Sequence, residues 1–213
     1  LENFFDITYN EEQKKAIKQA LIKNFSIITG GPGTGKTTII KGITQGYKMI
    51  SGYSFDKLKE RMVLLAPTGR AAKRMSESCL YPASTIHRYL KWNKETGEFG
   101  YNERNKSPAE FIIVDETSMI DIDLMANFFK AMKNDVKIVF IGDYNQLESV
   151  GPGKVLKDLI ESEMINTIFL KEKAQTLDEY ARQDGIIRKK TGENRMEFAQ
   201  TEKIEQMAQQ IIE

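Results

Sequence analysis

Residues 30 to 38 read Gly30-Gly31-Pro32-Gly33-Thr34-Gly35-Lys36-Thr37-Thr38. The pattern G-x-x-x-x-G-K-T is that of a phosphate-binding loop. Its glycines let phosphate oxygens approach the backbone, and its inward N–H groups form an anion nest at a helix N-terminus. Lys36 would reach the β- and γ-phosphates of a nucleoside triphosphate, and the Thr37 hydroxyl would face Mg²⁺. A glycine-rich turn with a chance lysine is the plain alternative. The flanks speak against it, because the apolar run Phe25, Ile27, Ile28 precedes the loop and a helical stretch follows.

A second chemical pair lies at Asp115-Glu116, at the end of the apolar strand Phe111-Ile112-Ile113-Val114. Acids where a buried strand emerges need a reason. In a nucleotide enzyme Asp115 would hold Mg²⁺, directly or through water, and Glu116 would polarise the attacking water. The alternative is an acid-rich helix start ahead of an Asp121 cap. A third cluster, Gly142-Asp143-Tyr144-Asn145-Gln146-Leu147, ends another apolar strand, where α/β sheets bind ligands. Gln146 could bond a γ-phosphate or the attacking water, or lie in solvent.

Elements that would position these groups follow from periodicity. Asn10 to Ile22 reads as a helix with Ala16, Ile17, Ala20 and Leu21 in one stripe. Gln13, three residues past an Asn10 cap, suits a capping box; a glutamine amide could equally contact adenine. Gln45 to Asp56 reads as a turn-rich connection. Met62 to Ala66 is a strand ended by Pro67-Thr68-Gly69-Arg70, and a helix runs from Ala71 to Ser78. Arg70, Lys73 and Arg74 cluster at its start, against the helix-dipole preference, which points to an anion partner or to a solvated basic face. Ala83 to Leu90 is a short helix capped by Ser84 or Thr85, in which His87 is a general base or a packed or phosphate-facing residue. Trp92 to Tyr101 reads as a hairpin; Trp92, Phe99 and Tyr101 could stack on bases or cover the core. The helix from Asp121 to Met132 shows an apolar face of Ile122, Met125, Phe128, Phe129 and Met132. Val136 to Ile141 and Asn166 to Leu170 are strands, separated by the Gly151-Pro152-Gly153 turn and a helix lined by Val155, Leu156, Leu159 and Ile160. After Leu170 the chain turns charge-rich, and Glu202 to Ile212 is an amphipathic stretch in need of something to bury against.

Composition bounds the possibilities. The 213 residues hold 31 basic and 30 acidic side chains, so any nucleic-acid contact must come from a local patch. One cysteine excludes an internal disulfide and a cysteine metal cluster, which fits a reducing cytoplasm, and one histidine excludes a multi-histidine metal site. No apolar run approaches the roughly 20 residues of a membrane span, so no membrane partner is expected. A chain that begins with Leu1 reads as an excised fragment.

Taken together, the clusters resemble the superfamily 1 DNA helicases, most closely the RecD/TraA-like group. Asn10-Glu11-Glu12-Gln13 looks like the Q motif and Gly30 to Thr38 like motif I. Leu65-Ala66-Pro67-Thr68-Gly69-Arg70-Ala71-Ala72 looks like motif Ia, and Thr85-Ile86-His87-Arg88 like the next DNA-side motif. Val114-Asp115-Glu116-Thr117-Ser118-Met119 looks like motif II. Gly142 to Leu147 with Ser149-Val150-Gly151-Pro152-Gly153 looks like motif III. The resemblance implies a RecA-like α/β fold with a mainly parallel sheet, the motif III strand lying between those of motifs I and II. It implies ATP with Mg²⁺ as cofactors, bound by Gln13 and Gly30 through Thr38, with Thr37 and Asp115 on the metal. Lys36, Asp115, Glu116 and Gln146 would be the catalytic group. Thr68, Gly69, Arg70 and His87 would touch single-stranded DNA. It further implies 5′→3′ translocation in DNA repair and recombination, a second RecA-like domain that supplies arginine to the transition state, and other nuclease or helicase subunits as partners.

Two departures qualify the resemblance: Glu148 stands where the group has proline, and Ala181-Arg182-Gln183-Asp184 is a poor match to its next motif. Residues 1–170 would be the motor domain and 171–213 the start of a truncated second domain or a fold-back. Rival readings are a nucleotide-gated DNA-binding module with little turnover, or another phosphate-loop NTPase such as a small-molecule kinase.

Overall fold

The computed structural model describes residues 8–146 and 151–171. These residues, from 9 on, belong to one compact unit. Glu148, Ala181 to Asp184 and the amphipathic stretch Glu202 to Ile212 lie outside the described residues.

Six parallel strands form the sheet. They are β1 (Phe25–Gly30), β2 (Met62–Ala66), β3 (Ala83–Thr85), β6 (Phe111–Val114), β7 (Lys137–Gly142) and β8 (Asn166–Leu170). Their spatial order is β3-β2-β6-β7-β1-β8, and every adjacent pair is parallel. The α/β class and mainly parallel sheet expected from the motifs are therefore observed. The central strands β1, β6 and β7 are almost wholly buried, which is why they read as continuous apolar runs rather than as alternating ones.

The order also fixes where ligands can sit. From β1 the chain travels past β7 and β6 to reach β2; from β7 it travels the other way, past β1, to reach β8. Connections that leave two neighbouring strands in opposite directions open a crevice at their carboxyl ends. The phosphate-loop pattern follows β1, and the Gly142-Asp143 cluster follows β7.

Helix α1 (Glu11–Ile22) begins at the Asn10 cap, with both hydrogen bonds of the capping box formed. Helix α2 (Lys36–Ser51) is longer than expected, because Gln45 to Ser51 is helical rather than turn-rich. Its Gly42 is a packing residue. A Cβ on Gly42 would lie 2.5 Å from Ile17 Cδ1 and 2.9 Å from the Tyr9 hydroxyl, so glycine lets α1 and α2 approach closely. The helix stops at Gly52, whose left-handed backbone forms its C-cap. Helix α3 (Phe55–Arg61) then leads into β2.

Helix α4 (Gly69–Cys79) buries Ala71, Ala72, Met75 and Cys79 and turns Arg70, Lys73, Arg74 and Glu77 outward. The expected helix over residues 83–90 is split. Residues Ala83–Thr85 pair with β2, and Thr85 caps the one-turn α5 (Ile86–Tyr89). Strands β4 (Trp92–Asn93) and β5 (Glu98–Phe99) form the expected hairpin.

Helix α6 (Ile122–Ala131) is capped by Asp121 as anticipated, but its inner face is shifted. Leu124, Met125, Phe128 and Ala131 are buried, while Ile122 is 53% exposed and Phe129 37% exposed. Helix α7 (Val155–Glu161) completes the connection to β8.

Candidate ATP site

All three chemical clusters emerge at the carboxyl edge of the sheet. The register shows how closely they are levelled. Thr29 pairs with Gly142, and Val114 pairs with Phe140, so β6 ends two residues short of the level of Gly142 and Thr29. The strand of the third cluster lies between the other two, as the resemblance implied.

The loop after β1 is tied at both ends. Gly33 and Gly35 each have φ of 81°, a left-handed backbone that a Cβ would strain. Thr34 donates its hydroxyl to Gly31 O at 2.9 Å. Lys36 opens α2 and donates Nζ to Gly30 O at 2.5 Å and Gly31 O at 2.8 Å. Its ammonium therefore already points into the loop, and phosphate oxygens would replace those two carbonyls as its acceptors. Pro32 and Thr37 are exposed at the loop surface, with Thr38 half-buried behind them.

Gln13 does more than cap α1. Its Oε1 accepts from Asn10 N at 3.1 Å, and its Nε2 donates to Thr34 O at 3.1 Å. The side chain is 2% exposed and joins α1 to the phosphate loop. The capping box is thus realised. The amide also retains one N–H and one lone pair beyond these bonds.

Asp115 and Glu116 follow β6 immediately. Asp115 N donates to Leu65 O at 2.9 Å, and Glu116 N donates to Asp115 Oδ1 at 2.8 Å. Burial pushes the Asp115 carboxyl above its ordinary value. The Glu116 N–H bond opposes this, the Glu116 charge adds to it, and the Lys36 and Arg74 charges draw it back. A divalent cation at this carboxylate would favour its ionised form. Among the described residues, no group of three His, Cys, Asp or Glu side chains is placed to hold a metal. Thr37 and Asp115 suit Mg²⁺, which characteristically takes one or two protein oxygens and completes its shell with substrate phosphates and water.

Glu116 has φ of 52°, an uncommon conformation for a residue with a Cβ. Such strain concentrates at functional sites. Its Oε1 accepts from Arg74 NH2 at 2.5 Å. The anion partner that the misplaced basic cluster of α4 called for is, for Arg74, this carboxylate.

Gln146 lies one turn beyond β7. Its backbone N–H donates to Asp143 O, and its Oε1 accepts from Ser118 Oγ at 3.4 Å, so it adjoins the turn after Glu116. Two threonines that the sequence reading passed over lock these clusters together. Thr29 Oγ1 accepts from Tyr144 N at 2.9 Å, joining β1 to the loop after β7. The Thr117 hydroxyl is within 3.1 Å of Val114 O and 3.0 Å of Ile141 O, joining β6 to β7. A threonine inside an apolar strand, and one directly after two acids, were the available signals.

The residues expected on DNA form a separate group. Thr68 caps α4, its Oγ1 accepting from Ala71 N at 3.2 Å; the hydroxyl hydrogen remains available to an outside acceptor. Gly69 and Arg70 are exposed beside it. Ala66 pairs with Thr85, so Thr68 and His87 each lie two residues beyond the same register level on neighbouring strands. His87 is exposed and meets Trp92 edgewise, with ring centroids 6.3 Å apart, and Phe99 at a tilt, 5.9 Å away. Trp92 and Phe99 lie 4.6 Å apart at an interplanar angle of 51°. His87 thus lies against the hairpin with its ring still open to solvent.

A site of this kind on a parallel sheet defines a phosphate-loop NTPase, and the chain belongs to the AAA domain family, whose model matches residues 13–152. Its relatives narrow the class to the RecD-like superfamily 1 helicase domains. The RecBCD enzyme subunit RecD of Mycolicibacterium smegmatis is 36% identical over 171 residues, covering 71% of this chain and 30% of the relative. The ATP-dependent RecD2 DNA helicase of Deinococcus radiodurans is 33% identical over 153 residues, covering 72% of this chain and 20% of the relative. Among solved structures, the Pif1 helicase from Candida albicans superposes with a TM-score of 0.56 at 25% identity, over 78% of this chain and 40% of that one. The chain thus spans less than a third of either curated relative. Among the described residues no helix is long and apolar enough to cross a membrane.

Proposed function

We propose that this chain is the first RecA-like motor domain, over residues 1–170, of an ATP-dependent DNA helicase that moves 5′→3′ on single-stranded DNA. One observation carries the reading: strands β1, β7 and β6 lie side by side and deliver Lys36, Gln146 and the Asp115-Glu116 pair to one edge of the sheet. A phosphate-binding lysine, a carboxylate for the metal and a second carboxylate for water make a hydrolytic set; a simple nucleotide switch needs no Glu116.

In this reading, Lys36 exchanges its bonds to Gly30 O and Gly31 O for β- and γ-phosphate oxygens. The loop N–H groups from Gly30 to Thr38 cradle the phosphates, and Gln13 reads the adenine with its remaining donor and acceptor. Thr37 and Asp115 hold Mg²⁺, which would neutralise charge on the phosphoryl oxygens. Glu116 accepts a proton from the attacking water, and Gln146 bonds the γ-phosphate. Thr68, Gly69, Arg70 and His87 contact the DNA strand.

Positioning and the water-activating carboxylate are present in this set. A charge clamp on the far side of the nucleotide would come from a second RecA-like domain, as in the complete helicases this chain resembles. Residues 171–213 are proposed to lead toward that domain. The RecD relatives are named as subunits of the RecBCD enzyme, and a similar assembly with nuclease and helicase partners, working in the cytoplasm, is proposed for the complete protein.

The test is steady-state ATP hydrolysis by the complete protein with and without single-stranded DNA. Turnover that rises on adding DNA is expected. A rate indifferent to DNA would overturn the motor reading and favour a kinase or other NTPase.

A further inference from the structure

The Arg74–Glu116 ion pair joins two elements that the proposed function assigns to different tasks. Arg74 lies on α4, the helix that begins at the DNA-side Thr68; Glu116 is the water-activating carboxylate. The two are 42 residues apart in sequence, and their contact is 2.5 Å. The Arg74 side chain is 64% exposed and that of Glu116 only 25%. The guanidinium is therefore accessible from solvent, while the carboxylate is the partner held inside the site.

Both groups have a second use that excludes this one. A carboxylate oxygen occupied by a guanidinium N–H has that position closed to an attacking water. A guanidinium donating to that carboxylate has committed part of its fork and cannot also offer it to a phosphate. Arg70 and Arg74 are four residues apart and share the outward ridge of α4, about 6 Å apart along the axis. A strand whose phosphate rests at Thr68 and Arg70 therefore brings its next phosphate within reach of Arg74. Arg70 makes no ion pair among the described residues, and Lys73 is only loosely paired with Glu77 at 3.9 Å. Arg74 is the one basic residue of this ridge whose charge is committed to the nucleotide side.

We propose that Arg74 is a positioning residue that gates hydrolysis: without DNA it holds Glu116 away from water, and a DNA phosphate takes its place and frees the carboxylate. The inference rests on the reading of Glu116 as the water-activating group and of α4 as a DNA contact. It adds a route by which DNA reaches the chemistry with no movement of the sheet. Its size is bounded by the exposure of Arg74. A solvent-facing ion pair shifts an equilibrium by a factor of up to about five, so the gate accounts for a few-fold of DNA stimulation and no more.

The experiment uses the complete protein and measures kcat and KM for ATP, without DNA and at saturating oligothymidylate, for wild type, Arg74→Ala, Arg74→Lys and Glu116→Gln. Arg74→Ala should raise the DNA-free kcat about two- to fivefold, leave KM for ATP unchanged, and leave the DNA-saturated kcat near wild type. The ratio of the two rates then falls by the same factor. Arg74→Lys, which keeps the charge, should hold the DNA-free rate near wild type. A DNA-free kcat in Arg74→Ala that is unchanged or lower, or an effect confined to KM, overturns the gate. Glu116→Gln separates this failure from a deeper one. If it is inactive while the Arg74→Ala ratio is normal, only the gate falls; if it hydrolyses ATP at the wild-type rate, the role of Glu116 and the gate fall together. Thermal midpoints of the variants exclude loss of fold as the cause, since so exposed a side chain contributes little to stability.

Discussion

The candidate nucleotide site and the surface proposed to face DNA are built on different principles. Around the phosphate loop, polar side chains are buried and bonded across elements: Gln13 to Thr34, Thr29 to Tyr144, Thr117 to both β6 and β7. On α4 and α5 the chemistry is exposed: Arg70, Lys73 and His87 all face solvent. The first region fixes geometry to which phosphoryl transfer is sensitive, since catalysis there is largely positioning and electrostatics. The second, in the proposed function, would grip and release a polymer without reading its bases, and exposed charge on a helix start suits that.

The largest expected effect strikes the rigid side. Lys36→Ala removes the only ammonium inside the loop and should abolish nucleotide binding or turnover in the complete protein. Retention of full ATPase activity would remove this loop from the site. The substitution should leave DNA affinity measured without nucleotide nearly unaltered, which sharpens the division between the two regions.

Thr117→Val tests whether the buried cross-links are structural. The swap keeps the shape and strips a hydroxyl from beside two buried carbonyls, a loss of about 1–3 kcal/mol. The urea midpoint of the complete protein should fall accordingly with little change in KM for ATP. A midpoint equal to wild type would mean that the bond between β6 and β7 carries no stability.

Arg70→Ala should have the smallest effect. Affinity for single-stranded DNA should weaken for all sequences alike, and the slope of log K against log salt should flatten by about 0.7, the share of one phosphate contact. An unchanged slope would place the DNA elsewhere on the domain.

The same contrast governs what could be seen in the sequence. The loop, the two acids and the Gly142-Asp143 cluster were legible because phosphate chemistry demands fixed residue types at fixed spacing. The central strands β1, β6 and β7 were legible because burial on both faces leaves unbroken apolar runs, whereas the three-residue edge strand β3 read as the start of a helix. Gln45 to Ser51 was not, since Gly46, buried within the helix, looks the same in sequence as a glycine that makes a turn. The inner face of α6 was misplaced because Ile122 and Phe129 fit a 3.6-residue stripe as well as Leu124 and Ala131 do; only the packing partners decide. The basic cluster of α4 left an anion partner and a solvated face equally open; Arg74 has the first, while Arg70 and Lys73 face solvent. Nothing local said that for Arg74 the anion would be Glu116, because a pair 42 residues apart is a property of sheet order.

The outermost strand has a mechanical consequence. A Cβ on Gly30 would come within 2.8 Å of Leu170 Cβ and 2.8 Å of Thr34 Oγ1, so the last residue of β8 rests directly on the first glycine of the phosphate loop. One residue further on, Lys171 N donates to Glu12 Oε2 on α1, beside Gln13. Lys171 thus sits at the spot where the loop and its supporting helix meet. A pull applied at this residue would reach the loop through one van der Waals contact and one hydrogen bond, so β8 would act on it as a short lever arm.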